Sequence, residues 1–241
     1  MRVGSAEHCG QDRSPSLDRC AADRVESASM SLRIAGRSVE LEAVLREPEE
    51  QRLRGAAVLC HPHPSYGGTM DNRVVFRAGK SALNAGWAAL RFNFRGVGAS
   101  SGSFDHGEGE KDDVRAAIDF LEGKYPGLAL GLIGFSFGAW VGLQVGVADP
   151  RITALVGLGL PLNFYDFDFL IESAKPSLFV AGAADEFCPR DKLEQLARRL
   201  PPTSSVRIID GTDHFFTNEL DPLQSYISRF LLQLKSPRSG A

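Results

Sequence analysis

From residue 31 onward the chain alternates apolar runs with amphipathic stretches, and that alternation leaves few folds open. AAVLCH (56–61), WAALRFNF (87–94), LALGLIG (128–134), ITALVGLG (152–159), SLFVAG (177–182) and SVRIID (205–210) are runs of strand length, most of them continuously apolar. Strands read that way when both of their faces are buried, as in a parallel sheet covered by helices. Between them, apolar residues recur at helical spacing near 72–85, 108–123, 137–147, 190–200 and 220–234, with Gly, Pro and Asp at the joints. Residues 31–35 and 39–46, hinged at Gly36, read as an antiparallel pair ahead of this repeat. The expectation is one α/β domain over 31–235, a mainly parallel sheet with helices on both faces joined by right-handed crossovers. Ligands of such sheets lie beyond the carboxyl ends of the strands, so the residues that directly follow each strand are where chemistry is to be sought.

A chain of 241 residues, 43% of them hydrophobic, is long enough for one such domain with a sizeable core. Its net charge of -3 offers no basic face of the kind nucleic acid or an anionic membrane requires, so the expected partner is a small molecule. Cys9, Cys20, Cys60 and Cys188 are widely spaced, with neither the framework of a disulfide-stapled domain nor the pairing of a zinc site, and reduced cytoplasmic thiols are expected. Residues 1–30 mix charges without an apolar segment fit for a signal peptide or a membrane span, and read as a disordered leader. Met30, where the pattern sets in, is a second candidate start, and 236–241 read as a disordered tail.

Two segments match G-x-S-x-G, and only context separates them. Gly134-Phe135-Ser136-Phe137-Gly138 has an apolar strand directly before it and a helix directly after, the setting of a nucleophile elbow. Gly98-Ala99-Ser100-Ser101-Gly102 runs into the polar loop SGSFDHGEGE and reads as a turn. Ser136 is therefore the candidate nucleophile, set at a helix N-terminus whose free N–H groups favour developing negative charge.

A serine hydroxyl needs a base, usually a histidine oriented by a carboxylate, and in enzymes built on such an elbow the order is serine, acid, histidine. His8, His61, His63 and His106 precede Ser136, which leaves His214 in the loop DGTDHFF. Asp185, just past the strand that ends at Gly182, is the expected acid. Glu186 lies one register step away and is the alternative to Asp185, while Asp210 and Asp213 are too close to His214 along the chain for the usual geometry.

An oxyanion formed at Ser136 must meet preorganised N–H donors. The residue after the nucleophile, Phe137, supplies one, and the loop HPHPSYGG after the strand 56–61 supplies the other. Pro62 and Pro64 stiffen that loop and leave the His63 amide as the donor between them, with Ser65 or Tyr66 as alternatives. Thr69 or Asp71 is placed to cap the next helix. A metal reading of His61 and His63 lacks a third ligand, and their imidazoles read as loop and pocket-floor groups.

With HPHPSYGGTMDN, RFNFRGVGASSGSFDHGEGE, GFSFG, GAADEFCP and GTDHFF in that order, the chain resembles the small bacterial α/β-hydrolases without a lid, related in shape to dienelactone hydrolases. The likeness covers roughly 31 to 235 and implies the α/β-hydrolase fold, a serine hydrolase with Ser136, Asp185 and His214 at the triad positions, and no cofactor. Dienelactone hydrolases proper use cysteine, so serine at 136 points to ordinary ester chemistry. An acyltransferase with the same triad, or a binding protein that keeps the fold, are the alternatives.

Only about 17 residues separate the strands that end at Gly159 and begin at Ser177, too few for a helical cap, so the pocket is expected to be open, and the molecule a monomer or homodimer. Phe164, Tyr165, Phe167 and Phe169 in that stretch either wall an acyl site or pack the loop onto the body. Arg95 either meets an anionic substrate or holds the RGVG turn.

Overall fold

The computed structural model describes residues 29–49 and 52–234. The expected leader, apart from its last two residues, and the expected tail lie outside this range, and Ser29 and Met30 open the first strand. The elements run β1 Ser29–Ala35, β2 Glu40–Arg46, β3 Gly55–Cys60, α1 Arg73–Asn84, β4 Trp87–Phe92, α2 Glu108–Lys124, β5 Ala129–Phe135, α3 Phe137–Ala148, β6 Ile152–Leu158, β7 Ser177–Gly182, α4 Arg190–Ala197, β8 Ser204–Ile209 and α5 Leu220–Gln233.

They form one eight-stranded sheet in the order β1-β2-β4-β3-β5-β6-β7-β8. The β1/β2 and β2/β4 pairs are antiparallel and all the others are parallel. Every residue of β3, β4, β5 and β7 is buried, which accounts for their unbroken apolar sequence. Val74 and Ala78 of α1 pack with Leu223, Ile227 and Leu231 of α5 on one face of the sheet. Val114 of α2, Val141 of α3 and Leu193 of α4 belong to the core on the other. The sheet is thus sandwiched, with the central β5–α3 junction at its carboxyl edge.

Differences from the sequence expectation have local causes. The first helix, α1, is capped not by Asp71 or Thr69 at its approach but by Asn72, whose Oδ1 accepts from Val74 N at 2.9 Å and whose ψ of 135° is extended directly before the first helical residue. Asp71 instead accepts from the Arg91 guanidinium at 2.8 Å. β4 stops at Phe92 rather than running to 94 because the Phe94 N–H is taken by His61 Nε2 at 3.0 Å. Two short 3-10 turns, Pro64–Tyr66 and Asp168–Leu170, were not legible in the periodicity.

Arg95 holds the turn after β4. Its Nη2 and Nε donate to Asp113 Oδ1 at 2.8 and 3.1 Å, and its backbone N–H donates to Asp113 Oδ2 at 2.9 Å. The Asp113 side chain is fully buried and that of Arg95 is 11% exposed, so the guanidinium is committed to the fold rather than to a ligand. Removing the carboxylate strands a buried cation. Asp113→Ala is expected to lower the free energy of unfolding by about 3–5 kcal/mol in denaturant titrations.

Candidate active site

The site begins with a backbone constraint. β5 stays extended through Phe135, and α3 starts at Phe137, so the whole reversal falls on Ser136, at φ 55° and ψ −121°. A non-glycine residue in that region is strained, and strain of this kind persists only where the surroundings enforce it. Here they do. A Cβ on Gly134 would lie 2.5 Å from Ala139 Cα, and one on Gly138 would lie 2.4 Å from the carbonyl oxygens of Cys60 and His61. The two glycines of the motif let the helix start press against β5 and against the end of β3. Ser136 N also donates to Leu158 O at 2.9 Å, which ties the elbow to β6.

Three loops then converge on Ser136. His214 Nε2 lies 2.9 Å from Ser136 Oγ, and His214 Nδ1 lies 2.9 Å from both Asp185 Oδ1 and Asp185 Oδ2. With the Asp185 carboxylate facing it, the imidazole carries its proton on Nδ1 and presents Nε2 as acceptor to the serine hydroxyl. Asp185 is 4% exposed and His214 5%. The carboxylate is held in turn by the N–H groups of Phe187 and Cys188, each donating to Oδ1 at 2.9 Å. Gly182 makes the crossing possible: a Cβ there would sit 2.4 Å from Thr212 O, inside the loop that delivers His214. Glu186 is exposed, and Asp213 spends its carboxylate on Phe215 N, Thr217 N and Thr217 Oγ.

The HPHPSYGG loop lies beside the elbow. His63 has φ −53° and ψ 122°, its Nδ1 accepts from Ser65 N at 3.2 Å, and its ring is 4.8 Å from that of Phe137. Among the described residues neither the His63 N–H nor the Phe137 N–H has a hydrogen-bond partner within the protein. Burial, with His106 adding to it, lowers the His63 pKa from its ordinary value.

His61 has a different part. It is fully buried, its Nδ1 donates to Pro62 O at 2.6 Å and its Nε2 accepts from Phe94 N. With both nitrogens engaged it cannot ligate a metal. Burial pushes its pKa from 6.5 down to about 4. The unfolded chain therefore takes up the proton first, and stability is lost as pH falls from 6.5 and levels off near 4. The loss from this residue should approach about 3 kcal/mol, read as the difference in unfolding free energy between pH 7 and pH 4. His61→Gln should flatten that dependence.

Ser100 is also buried, donating to Asn93 O at 2.7 Å and accepting from Glu42 N at 2.9 Å. It is a turn residue with no base beside it. Phe167 is buried and Phe169 packs on the core, while Tyr165 stacks on Trp140 at 4.1 Å; Phe164 alone of that group is exposed. The aromatic shell of the imidazole was not visible in the sequence: Phe187 meets His214 edge-on at 4.5 Å, Phe215 at 5.3 Å, and Phe135 lies tilted against it at 5.1 Å. Their adjacency to Asp185, His214 and Ser136 along the chain is the one signal that points to them. Among the described residues no group of three or more His, Cys, Asp or Glu side chains is arranged to hold a metal ion, and no helix is long and apolar enough to cross a membrane.

An eight-stranded, mainly parallel sheet with a serine at the central strand-to-helix turn defines an α/β-hydrolase, and residues 159–176, with one 3-10 turn, hold no lid. The sequence matches the X-Pro dipeptidyl-peptidase (S15) family over residues 36–168, and the chain belongs to that family of hydrolases. It is 38% identical over 189 residues to an uncharacterized protein of Rickettsia prowazekii, covering 75% of this chain and 79% of that one. An α/β serine hydrolase homologue from Coxiella burnetii superposes with a TM-score of 0.79 at 32% identity, over 83% of this chain and 96% of the other. A Xanthomonas campestris α/β serine hydrolase without a lid superposes with a TM-score of 0.78 at 32% identity, over 84% and 93%.

Proposed function

We propose that the protein hydrolyses a small carboxylic ester through an acyl-enzyme, with Ser136 as nucleophile, His214 as base and Asp185 as the acid that orients it. The observation that carries this reading is the continuous line of hydrogen bonds from Ser136 Oγ through His214 to Asp185, each at 2.9 Å. Ser136 Oγ attacks the ester carbonyl while its proton passes to His214 Nε2. The oxyanion so formed is met by the N–H groups of Phe137 and His63, both unengaged within the protein. His214 then returns the proton to the departing alkoxide, leaving an acyl group on Ser136. Water, deprotonated by the same imidazole, cleaves the acyl-enzyme to the carboxylic acid. No cofactor enters the reaction.

Ester is preferred because the open strand-end site has no cap to grip a long peptide. Peptidase family membership nevertheless puts Xaa-Pro amides in the same test. The buried free thiols Cys60 and Cys188 fit a reducing cytoplasm. The proposal is tested by turnover of a matched panel of short acyl esters, thioesters, lactones and Xaa-Pro amides, with added alcohol or thiol acceptors. Ester hydrolysis that outpaces the amides supports the reading. Amide preference, dominant transfer to the acceptors, or inertness toward the whole panel contradicts it.

A further inference from the structure

Large hydrophobic side chains are exposed at the carboxyl edge of the sheet around Ser136: Tyr66 after β3 is 86% exposed, Phe164 after β6 63%, and Phe215 after β8 54%. Apolar surface gathered at one rim calls for an occupant, where the same residues scattered singly would not. Two of the three belong to one continuous surface. Phe164 lies 5.6 Å from Phe187, Phe187 meets the His214 ring at 4.5 Å, and the His214 ring meets Phe215 at 5.3 Å.

We propose that Phe164, Phe187 and Phe215 form the face that receives the leaving group, and that they select esters of extended, apolar, uncharged alcohols. The inference rests on the hydrolytic reading above and goes further by naming which half of the substrate these rings touch. When the acyl carbon–alkoxide bond breaks, the alkoxide oxygen takes its proton from His214 Nε2. That oxygen must therefore lie within hydrogen-bond reach of the imidazole, and the carbon chain it carries must cross the rings that flank it. The rings on the other side of the elbow, His63, Phe104 and Tyr165, pack against or near Phe137, on the side of the proposed oxyanion donors.

Phe164 and Phe215 are exposed and Phe187 is half-buried, yet their backbones are fixed. Asn163 N donates to Phe187 O at 3.2 Å and Asn163 Nδ2 to Glu186 O at 2.7 Å, which pins the Phe164 segment to the Phe187 segment. Phe164 N donates to Pro161 O at 3.0 Å, and Phe215 N to Asp213 Oδ1 at 3.1 Å. Phe216, at φ 52° and fully buried, turns inward and leaves Phe215 outside. A surface fixed in advance loses little freedom when a chain lies on it. The rings themselves offer a charged group no hydrogen-bond partner, so a charged alcohol lying across them is disfavoured and a neutral one is not.

The test is a pair of ester series measured on the full chain: acetates of straight-chain alcohols from ethanol to octanol, and ethyl esters of straight-chain acids from acetate to octanoate. Along the alcohol series kcat/KM should rise by about twofold per methylene, against about fourfold for full burial. Phe164→Ser and Phe215→Ser should each cut that slope to less than half, Phe164→Leu should keep most of it, and the slope along the acid series should not follow. Labelling of Ser136 by a fluorophosphonate in each variant shows that the elbow is still assembled. An alcohol slope equal in wild type and both serine variants, or a loss that appears equally in the two series, overturns the proposal. A wild-type protein that takes no label and turns over neither series overturns the parent reading and this one with it.

Discussion

Alanine at position 136 is expected to lower kcat by about 10⁴- to 10⁶-fold, the range seen when the nucleophile of a hydrogen-bonded triad is removed. Among the described residues the serine hydroxyl hydrogen-bonds to His214 Nε2 alone, and the strained turn is enforced by the packing at Gly134 and Gly138 rather than by the side chain. The variant should therefore fold, and its thermal midpoint should stay close to that of the wild type. Asp185→Asn should cost about 10⁴-fold. An amide keeps an oxygen for the N–H groups of Phe187 and Cys188, but its NH₂ then faces His214 Nδ1 and drives the proton to Nε2, the wrong tautomer for a base. The double variant Ser136→Ala/Asp185→Asn should be little worse than Ser136→Ala alone, because the carboxylate acts only through the imidazole. Steady-state rates on the best ester of the panel, measured at equal folded concentration, check all three. Additive losses would mean that the residues act independently.

The second large effect concerns a single N–H. His63→Pro should lower kcat by about 10²- to 10³-fold with little change in KM, since one oxyanion donor is typically worth ~2.7–4 kcal/mol of barrier. His63 is well suited to this substitution: its φ of −53° is within the range proline requires, and its ψ of 122° already suits the Pro64 that follows. The backbone can stay in place while the donor disappears. His63→Ala, which removes the ring and keeps the N–H, separates the two contributions, because the ring packs between Tyr66, Phe104 and Phe137 and caps the 3-10 turn. If alanine and proline depress kcat equally, the imidazole matters and the amide does not.

Much of this architecture is legible along the chain because its signals are local. Strands buried on both faces write themselves as unbroken apolar runs, and the elbow at Ser136 is marked by a strand, two glycines and a helix within a few residues. Positions of His214 and Asp185 follow from chain order and strand ends, and the 2.9 Å contacts bring both to Ser136. What was not legible depends on partners distant in sequence. Asp71 looks like a helix cap until Arg91, twenty residues on, takes its carboxylate, and β4 looks longer until His61 captures the Phe94 amide. Arg95 could be read either as a substrate ligand or as a turn residue, and only the buried Asp113 from α2 decides between them. The rings of Phe135, Phe187 and Phe215 carry no periodicity that distinguishes them from ordinary core, and become a shell only when three loops close around one imidazole.

The most direct measurement is peptide mapping by mass spectrometry after brief exposure to a fluorophosphonate, since the chain contains a second G-x-S-x-G serine as an internal control. One adduct per chain on Ser136, none on Ser100, and loss of the adduct in His214→Ala are the predicted results. Labelling of Ser100 or of neither serine, or labelling of Ser136 that persists without His214, would contradict the account.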